Sequence, residues 1–286
     1  MRDRKTDGLL LVDKPAGLTS HAVVDRARVA LQTKRIGHAG TLDPFATGLL
    51  VLLVNRTTRL LPFLDAEPKV YRARIRFGVR TSTDDPDGEP VEEAPPPDQA
   101  AVERAIATLT GHLLQRPPAF SAKRVAGVRA YSAARRGEPL ALEPVGVTVH
   151  QWRILGRAGD DLDVEIHCSG GTYVRALARD LGDVTGSAAH LASLRRLRIG
   201  RFDVIDAADL DAVDRGDFHL LPAAAAVAQL PQQSLDDLDA KRVTHGQTVS
   251  ALTGGDVAAL CHREELLAVA VRDGESWRPK VVMRDA

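Results

Sequence analysis

The chain has 286 residues, 44% of them apolar and 4% aromatic, enough for one large domain with a small appendage and a core filled mostly by Leu, Val and Ala. Lysine and arginine total 38 and so do aspartate and glutamate; a net charge of zero argues, on composition alone, against a nucleic-acid binder. Cys168 and Cys261 show no CxxC or Cys/His pattern, which speaks against a disulfide framework and a zinc site. The N-terminus MRDRKTDG lacks the apolar stretch of a signal peptide, and the apolar run 48–54 falls far short of the roughly 20 residues of a membrane helix, so a soluble, cytoplasmic protein is expected.

In chain order, residues 9–13 (LLLVD) read as a buried strand ending at Lys14-Pro15. Thr19 or Ser20 caps a helix with Val23, Ala27, Ala30 and Leu31 on its apolar stripe. A glycine-punctuated loop, GHAGTLDPFATG (37–48), leads into an apolar strand, 49–54. Residues 70–77 alternate, with Tyr71, Ala73, Ile75 and Phe77 on one face and Arg72, Arg74 and Arg76 on the other, as in a half-buried strand. Asp98 is placed to cap a helix carrying Val102, Ala105, Ile106 and Leu109. Residues 162–168 alternate again, and Ser169-Gly170-Gly171 turns that strand into a helix burying Val174, Leu177, Ala178 and Leu181. Beyond about residue 230, apolar runs at 257–260, 266–271 and 281–283 predict a small β-rich module. Strands and helices alternate without a regular βαβ rhythm, so the fold class is α+β.

Charge is segregated. No acid occurs from Arg104 to Gly137, where Arg116, Lys123, Arg124, Arg129, Arg135 and Arg136 fall, and Arg195, Arg196, Arg198 and Arg201 form a second basic cluster. Acids gather at Asp203, Asp206, Asp209, Asp211, Asp214 and Asp217. A neutral protein can present a basic face in this way, although the same runs also suit ordinary solvated surfaces.

The strongest local signal is His38-Ala39-Gly40-Thr41-Leu42-Asp43-Pro44. Its glycines permit positive φ and close approach to another molecule. Pro44 pushes Asp43 out of helical geometry and onto an extended loop. In isolation an Asp-Pro pair is most simply a turn in which the aspartate bonds its own backbone.

The ordered segments GLLLVDKPAGLTSH, GHAGTLDPFATG, YRARIRFG, CSGGTYVRALARDLG and LRRLRIGRF, spread over roughly residues 8–210, resemble the TruB family, bacterial enzymes that make pseudouridine at position 55 in the T-loop of tRNA. The resemblance implies a pseudouridine synthase fold: a central mixed, largely antiparallel sheet with flanking helices in a catalytic domain of residues 1–230, and a small β-rich, PUA-like RNA-binding domain in residues 231–286. It implies no cofactor and no metal, a tRNA substrate, no membrane, no protein partner and a monomer.

The resemblance makes Asp43 the catalytic residue. A carboxylate suffices to break the C1′–N1 bond of uridine, by covalent attack or by abstracting a proton to give a glycal. Enclosure with a nucleobase raises such a pKa, whereas an adjacent arginine lowers it by roughly 1–3. Arg175 matches that arginine, although its position also suits a solvated helix face. Tyr71, which its strand would place in the core, matches a tyrosine set against the target base, where the phenol could also take the C5 proton. Tyr173 matches a substrate-contacting residue, His38 one that holds the flipped nucleotide, and Leu194 an apolar residue of the uracil pocket. Lys14 resembles a lysine bracing the active-site loop. The stretch at about 112–140 resembles an RNA-clasping insertion, with Arg116, Lys123, Arg124 and Arg129 against the RNA backbone and Pro117, Pro118 and Phe120 giving it shape.

Two other classes remain to be separated. A non-catalytic RNA-binding or tRNA-folding protein needs no Asp43, Tyr71 and Arg175 together. A nucleoside hydrolase needs an activated water, and no carboxylate cluster surrounds Asp43 in the sequence.

Overall fold

The computed structural model describes residues 6–283 apart from 122, 126, 127, 131, 132, 134, 135, 137 and 139, with the side chains of 124, 125, 128 and 129 also outside the description. Among the described residues, ten strands make one sheet. Its main path runs Ala208–Asp209, Gly8–Lys14, Thr47–Val54, Ala189–Ile199, Lys69–Phe77, Asp161–Cys168, Val145–Ala158 and Gly111–Gln115. Two pairings on this path are parallel and the rest antiparallel, so the sheet is mixed and largely antiparallel, as the family resemblance implies. The two halves meet in parallel at Arg195↔Thr47 and Arg196↔Gly48. Gly48 is indispensable there, because a Cβ would lie 2.2 Å from the Arg196 carbonyl oxygen.

Binary patterning assigns the faces. Leu10, Val12, Leu50 and Leu52 pack against helix Ser20–Leu31 and helix Leu210–Arg215. The alternate residues Leu9, Leu11, Leu49, Val51 and Leu53 face the opposite way. In the other half, Tyr71, Ala73, Ile75 and Phe77 join Leu162, Val164 and Ile166 under helices Gln99–Thr108 and Val174–Val184. Arg74 and Arg76 lie on the outer face of that half, each in a two-pronged pair with Asp163 or Asp161 of the neighbouring strand at 2.8 Å.

The caps settle an ambiguity. Thr19 caps the first helix, its hydroxyl accepting from Ala22 N at 3.0 Å, and Asp98 caps the helix after it in the same way. Ser20 is therefore free for another bond.

A second sheet of five strands follows, ordered Gln232–Ser234, Val257–His262, Glu265–Asp273, Ser276–Val282 and Val249–Ser250. Three of these cover the apolar runs read from the sequence; the two short edge strands and helix Asp237–Thr244 carry too weak a pattern to be read. Ala259, Leu266, Val269 and Val281 of this sheet, with Met283 just after its strand Ser276–Val282, share one apolar cluster with Leu9, Leu11, Leu49 and Val51 of the large sheet. Among the described residues, no helix is long and apolar enough to cross a membrane.

Candidate active site

Three buried side chains from three elements hold the loop that carries Asp43. Lys14, at the end of its strand, donates from Nζ to the carbonyls of Pro15 (2.9 Å), Leu18 (2.6 Å) and Pro44 (3.2 Å). The Ser20 hydroxyl donates to Leu42 O (3.0 Å) and accepts from Leu42 N (2.8 Å). Arg196 donates from Nε to Leu49 O at 2.8 Å and from Nη2 to Gly40 O at 3.0 Å. Leu42 and Ala46 sink into the core on either side of Asp43, while Asp43 itself stays half-buried. The loop is thus anchored at both ends, with the carboxylate held between them.

Arg175 meets that carboxylate from the first turn of helix Val174–Val184. Its Nη2 donates to Asp43 Oδ1 at 3.2 Å, and its Nε lies 2.9 Å from Oδ2. The guanidinium is buried and its remaining donors are used: Nη1 reaches Asp85 Oδ2 and the Thr83 carbonyl, each at 3.0 Å, and Nη2 reaches the Phe120 carbonyl at 2.8 Å. Arg175 is no solvated helix-face residue. Burial pushes the Asp43 carboxyl above its ordinary range; the Arg175 charge opposes the rise and the Asp85 charge adds to it. Of the two opposing influences on this aspartate, desolvation wins.

Asp43 and Arg175 border a cavity of about 260 Å³, whose walls include Tyr71, Tyr173 and Leu194. Tyr71 and Leu194 are buried at its apolar side, and burial pushes the Tyr71 phenol up, keeping it protonated. Tyr173 precedes the helix, and its backbone is clamped by the buried side chain of Gln115, which accepts from Tyr173 N at 2.8 Å and donates to Tyr173 O at 3.1 Å. His38 ends strand Ile36–His38 outside this wall, and Lys14 also stands behind the loop rather than in the cavity.

The two basic clusters fare differently. Arg116 is exposed and Lys123 half-exposed, while Arg124 and Arg129 pair their backbones as short antiparallel strands and their side chains lie outside the described residues. Arg179 and Arg175 of one helix hold the base of this segment through the carbonyls of Arg116 (2.9 Å) and Phe120 (2.8 Å). The second cluster is mostly consumed within the fold: Arg195 grips Asp13 with two bonds of 2.9 and 2.6 Å, Arg198 sits 3.7 Å from Asp203, and Arg196 is fully buried. In the sequence these charges count toward a basic face, but strand pairing turns them onto internal partners.

Sequence reasoning passes over several residues here. Arg196 is only one charge in a run, Asp85 has no motif, and Lys69 and Ser121, both on the cavity wall, look like the start of a strand and part of a basic loop. Alternation gives one available signal: Arg196, at the register position of Tyr71, falls on the buried side of its strand.

Residues 28–174 match the model for the TruB family pseudouridylate synthase N-terminal domain. A "tRNA pseudouridine synthase B" of Thermobifida fusca is 45% identical, covering 96% of this chain and 98% of that one. Proteins of the same description from Leifsonia xyli (46% identical, 96% of this chain and 95% of that one) and Mycobacterium tuberculosis (40%, 98% and 96%) are similarly close. Among solved structures, an H/ACA ribonucleoprotein bound to substrate RNA containing 2′-deoxyuridine superposes with a TM-score of 0.72 at 22% identity, over 97% of this chain and 85% of that one. A Cbf5–Nop10–Gar1 complex gives the same score at 23% identity and the same coverage, so the fold is shared with these proteins.

Proposed function

Because this chain belongs to the TruB family of pseudouridylate synthases, we propose that it isomerises the uridine at position 55 in the T-loop of tRNA to pseudouridine. The observation that carries this reading is the Asp43–Arg175 pair on the wall of a cavity with an apolar side. C1′ and C5 of a stacked uridine lie beyond the reach of a carboxylate in such a cavity. The base must leave its stack, at a cost of a few kcal/mol, and enter.

The ionised Asp43 then either attacks C1′ or takes a sugar proton to give a glycal; in both routes the C1′–N1 bond breaks. The base turns and C5 bonds to C1′ as the ester to Asp43 breaks or, in the glycal route, as Asp43 returns the sugar proton; the C5 proton departs as N1 gains one, so product and substrate are isomers. Arg175 aims the carboxylate and opposes the rise in its pKa. Tyr71, kept protonated by its burial, suits contact with the base better than proton removal. Leu194 and Tyr173 border the base, Lys14 braces the loop, and His38 acts on the nucleotide from outside the cavity. Arg116, Lys123, Arg124 and Arg129 take backbone phosphates. Residues 1–230 form the catalytic unit and 231–286 an RNA-binding one, in a monomer that works in the cytoplasm.

The test is to incubate the purified protein alone with unmodified tRNA and map pseudouridine by mass. Modification at the T-loop uridine by wild type, and none by Asp43→Asn with tRNA binding retained, is the expected result. Free uracil among the products would instead mean hydrolysis, and modification by Asp43→Asn at the wild-type rate would remove Asp43 from the chemistry.

A further inference from the structure

Lys69 opens its strand on the cavity wall and, among the described residues, its ammonium makes no hydrogen bond or ion pair. A neighbour makes this unusual. A Cβ added to Gly40, also on the wall, would stand 3.2 Å from Lys69 Nζ and 3.4 Å from Arg196 Nη1, so two cations converge on one glycine. Arg196 spends its donors on backbone carbonyls and brings no carboxylate with it. Asp43 is held by Arg175, and the carboxylate of Glu67 accepts from Gly170 N at 2.8 Å. Burial, and then the charge of Arg196, push the Lys69 ammonium below its ordinary range. A half-buried ammonium beside a second cation is costly to keep without a partner. The Glu67 carboxylate offsets part of that cost from a distance, but no described residue bonds the ammonium.

Uracil and ribose are neutral, so phosphodiesters are the anions RNA brings to this wall. We propose that Lys69 is a phosphate subsite of the cavity, taking a backbone phosphate that flanks the everted uridine while Asp43 faces its sugar. The inference rests on the RNA-isomerase reading above. It assigns Lys69 to binding, and to setting how deep the nucleotide sits. Gly40 supplies the room: its φ of +85° and the absence of a Cβ leave space for Lys69 Nζ.

The experiment measures tRNA affinity against salt for wild type, Lys69→Gln and Lys69→Arg, with pseudouridine formation by wild type checked on the same RNA. Removing one phosphate partner should lower the slope of log K against log salt by about 0.7–0.9, and Lys69→Arg should keep the wild-type slope. Independently of the salt series, a neutral methylphosphonate at the phosphate on one side of the target should weaken wild-type binding and leave Lys69→Gln unaffected. An unchanged slope in Lys69→Gln, or equal methylphosphonate penalties in both proteins, overturns the subsite. If wild type forms no pseudouridine, the functional reading itself fails; if it does and the slope stays, only the subsite fails.

Discussion

Arg196 Nη2 donates to the Gly40 carbonyl at 3.0 Å from a side chain with no exposed surface, so a strand in the middle of the large sheet dictates where the Asp43 loop lies. The same guanidinium holds Leu49 O at 2.8 Å, beyond the far end of the loop. Charged hydrogen bonds of this kind contribute roughly 1.5–3 kcal/mol each. Arg196→Gln should therefore cost about 3 kcal/mol in denaturant unfolding. It should also lower kcat by more than it raises KM, because a loosened loop misplaces Asp43 without removing a phosphate-binding group. An unchanged kcat would separate Arg196 from loop placement.

Asp43→Asn should raise stability at neutral pH while abolishing activity. The folded-state pKa of Asp43 lies above its unfolded value, so the ionised form is the disfavoured one in the fold, and the amide resembles the protonated acid. The sign can be checked by titration: the advantage of the variant should shrink as pH falls through the folded pKa toward the unfolded one. Arg175 keeps Asp85 as its counter-ion, so no buried charge is orphaned. Chemical denaturation at neutral and acid pH measures the difference, and a less stable variant at neutral pH would contradict the burial argument.

In the proposed mechanism Asp43 acts as the carboxylate, and burial raises its pKa, so the acid limb of kcat/KM should lie above the ordinary aspartate range. Removing the opposing charge with Arg175→Gln should move that limb to higher pH by roughly 1–3. A limb that stays in place would mean that another group governs it.

Burial lowers the Lys14 ammonium to about 8. Between that value and its unfolded pKa the unfolded chain holds a proton that the native protein has lost, so wild type gains stability as pH rises across this window. Lys14→Met has no such gain. Measured as the difference between the two proteins at neutral pH and near the top of that window, the balance should move in favour of wild type on the alkaline side. A movement the other way would mean that the fold stabilises the charged amine.

Neutralising Lys123, Arg124 and Arg129 together should flatten the salt dependence of tRNA binding by about 0.9 for each phosphate that these side chains neutralise in the wild type. A slope equal to that of wild type would remove this segment from the RNA footprint.

Local pattern was enough for much of the architecture. Alternation in residues 70–77 and 162–168 identifies two paired strands and their inner faces, and Asp98 marks a helix start that its side chain does cap. The loop bearing Asp43 and the turn leading to Arg175 are visible for the same reason: glycine and proline constrain the backbone wherever they occur. Charges are harder. Arg196 and Arg116 read alike along the chain, yet one is fully buried against carbonyls and the other exposed.

What lies between those cases is distance in sequence. Asp43, the turn at residues 83–85, Phe120 and Arg175 come from four separate segments, and only pairing of the strands between them brings these acceptors around one guanidinium. A short-range pattern records which face a residue takes and how the backbone can turn, because those depend on neighbours in the chain. Whether a cation finds a carboxylate, a carbonyl or, like Lys69, neither depends on strand register and loop closure, and those are set by pairings more than a hundred residues apart, such as Arg175 with Asp43.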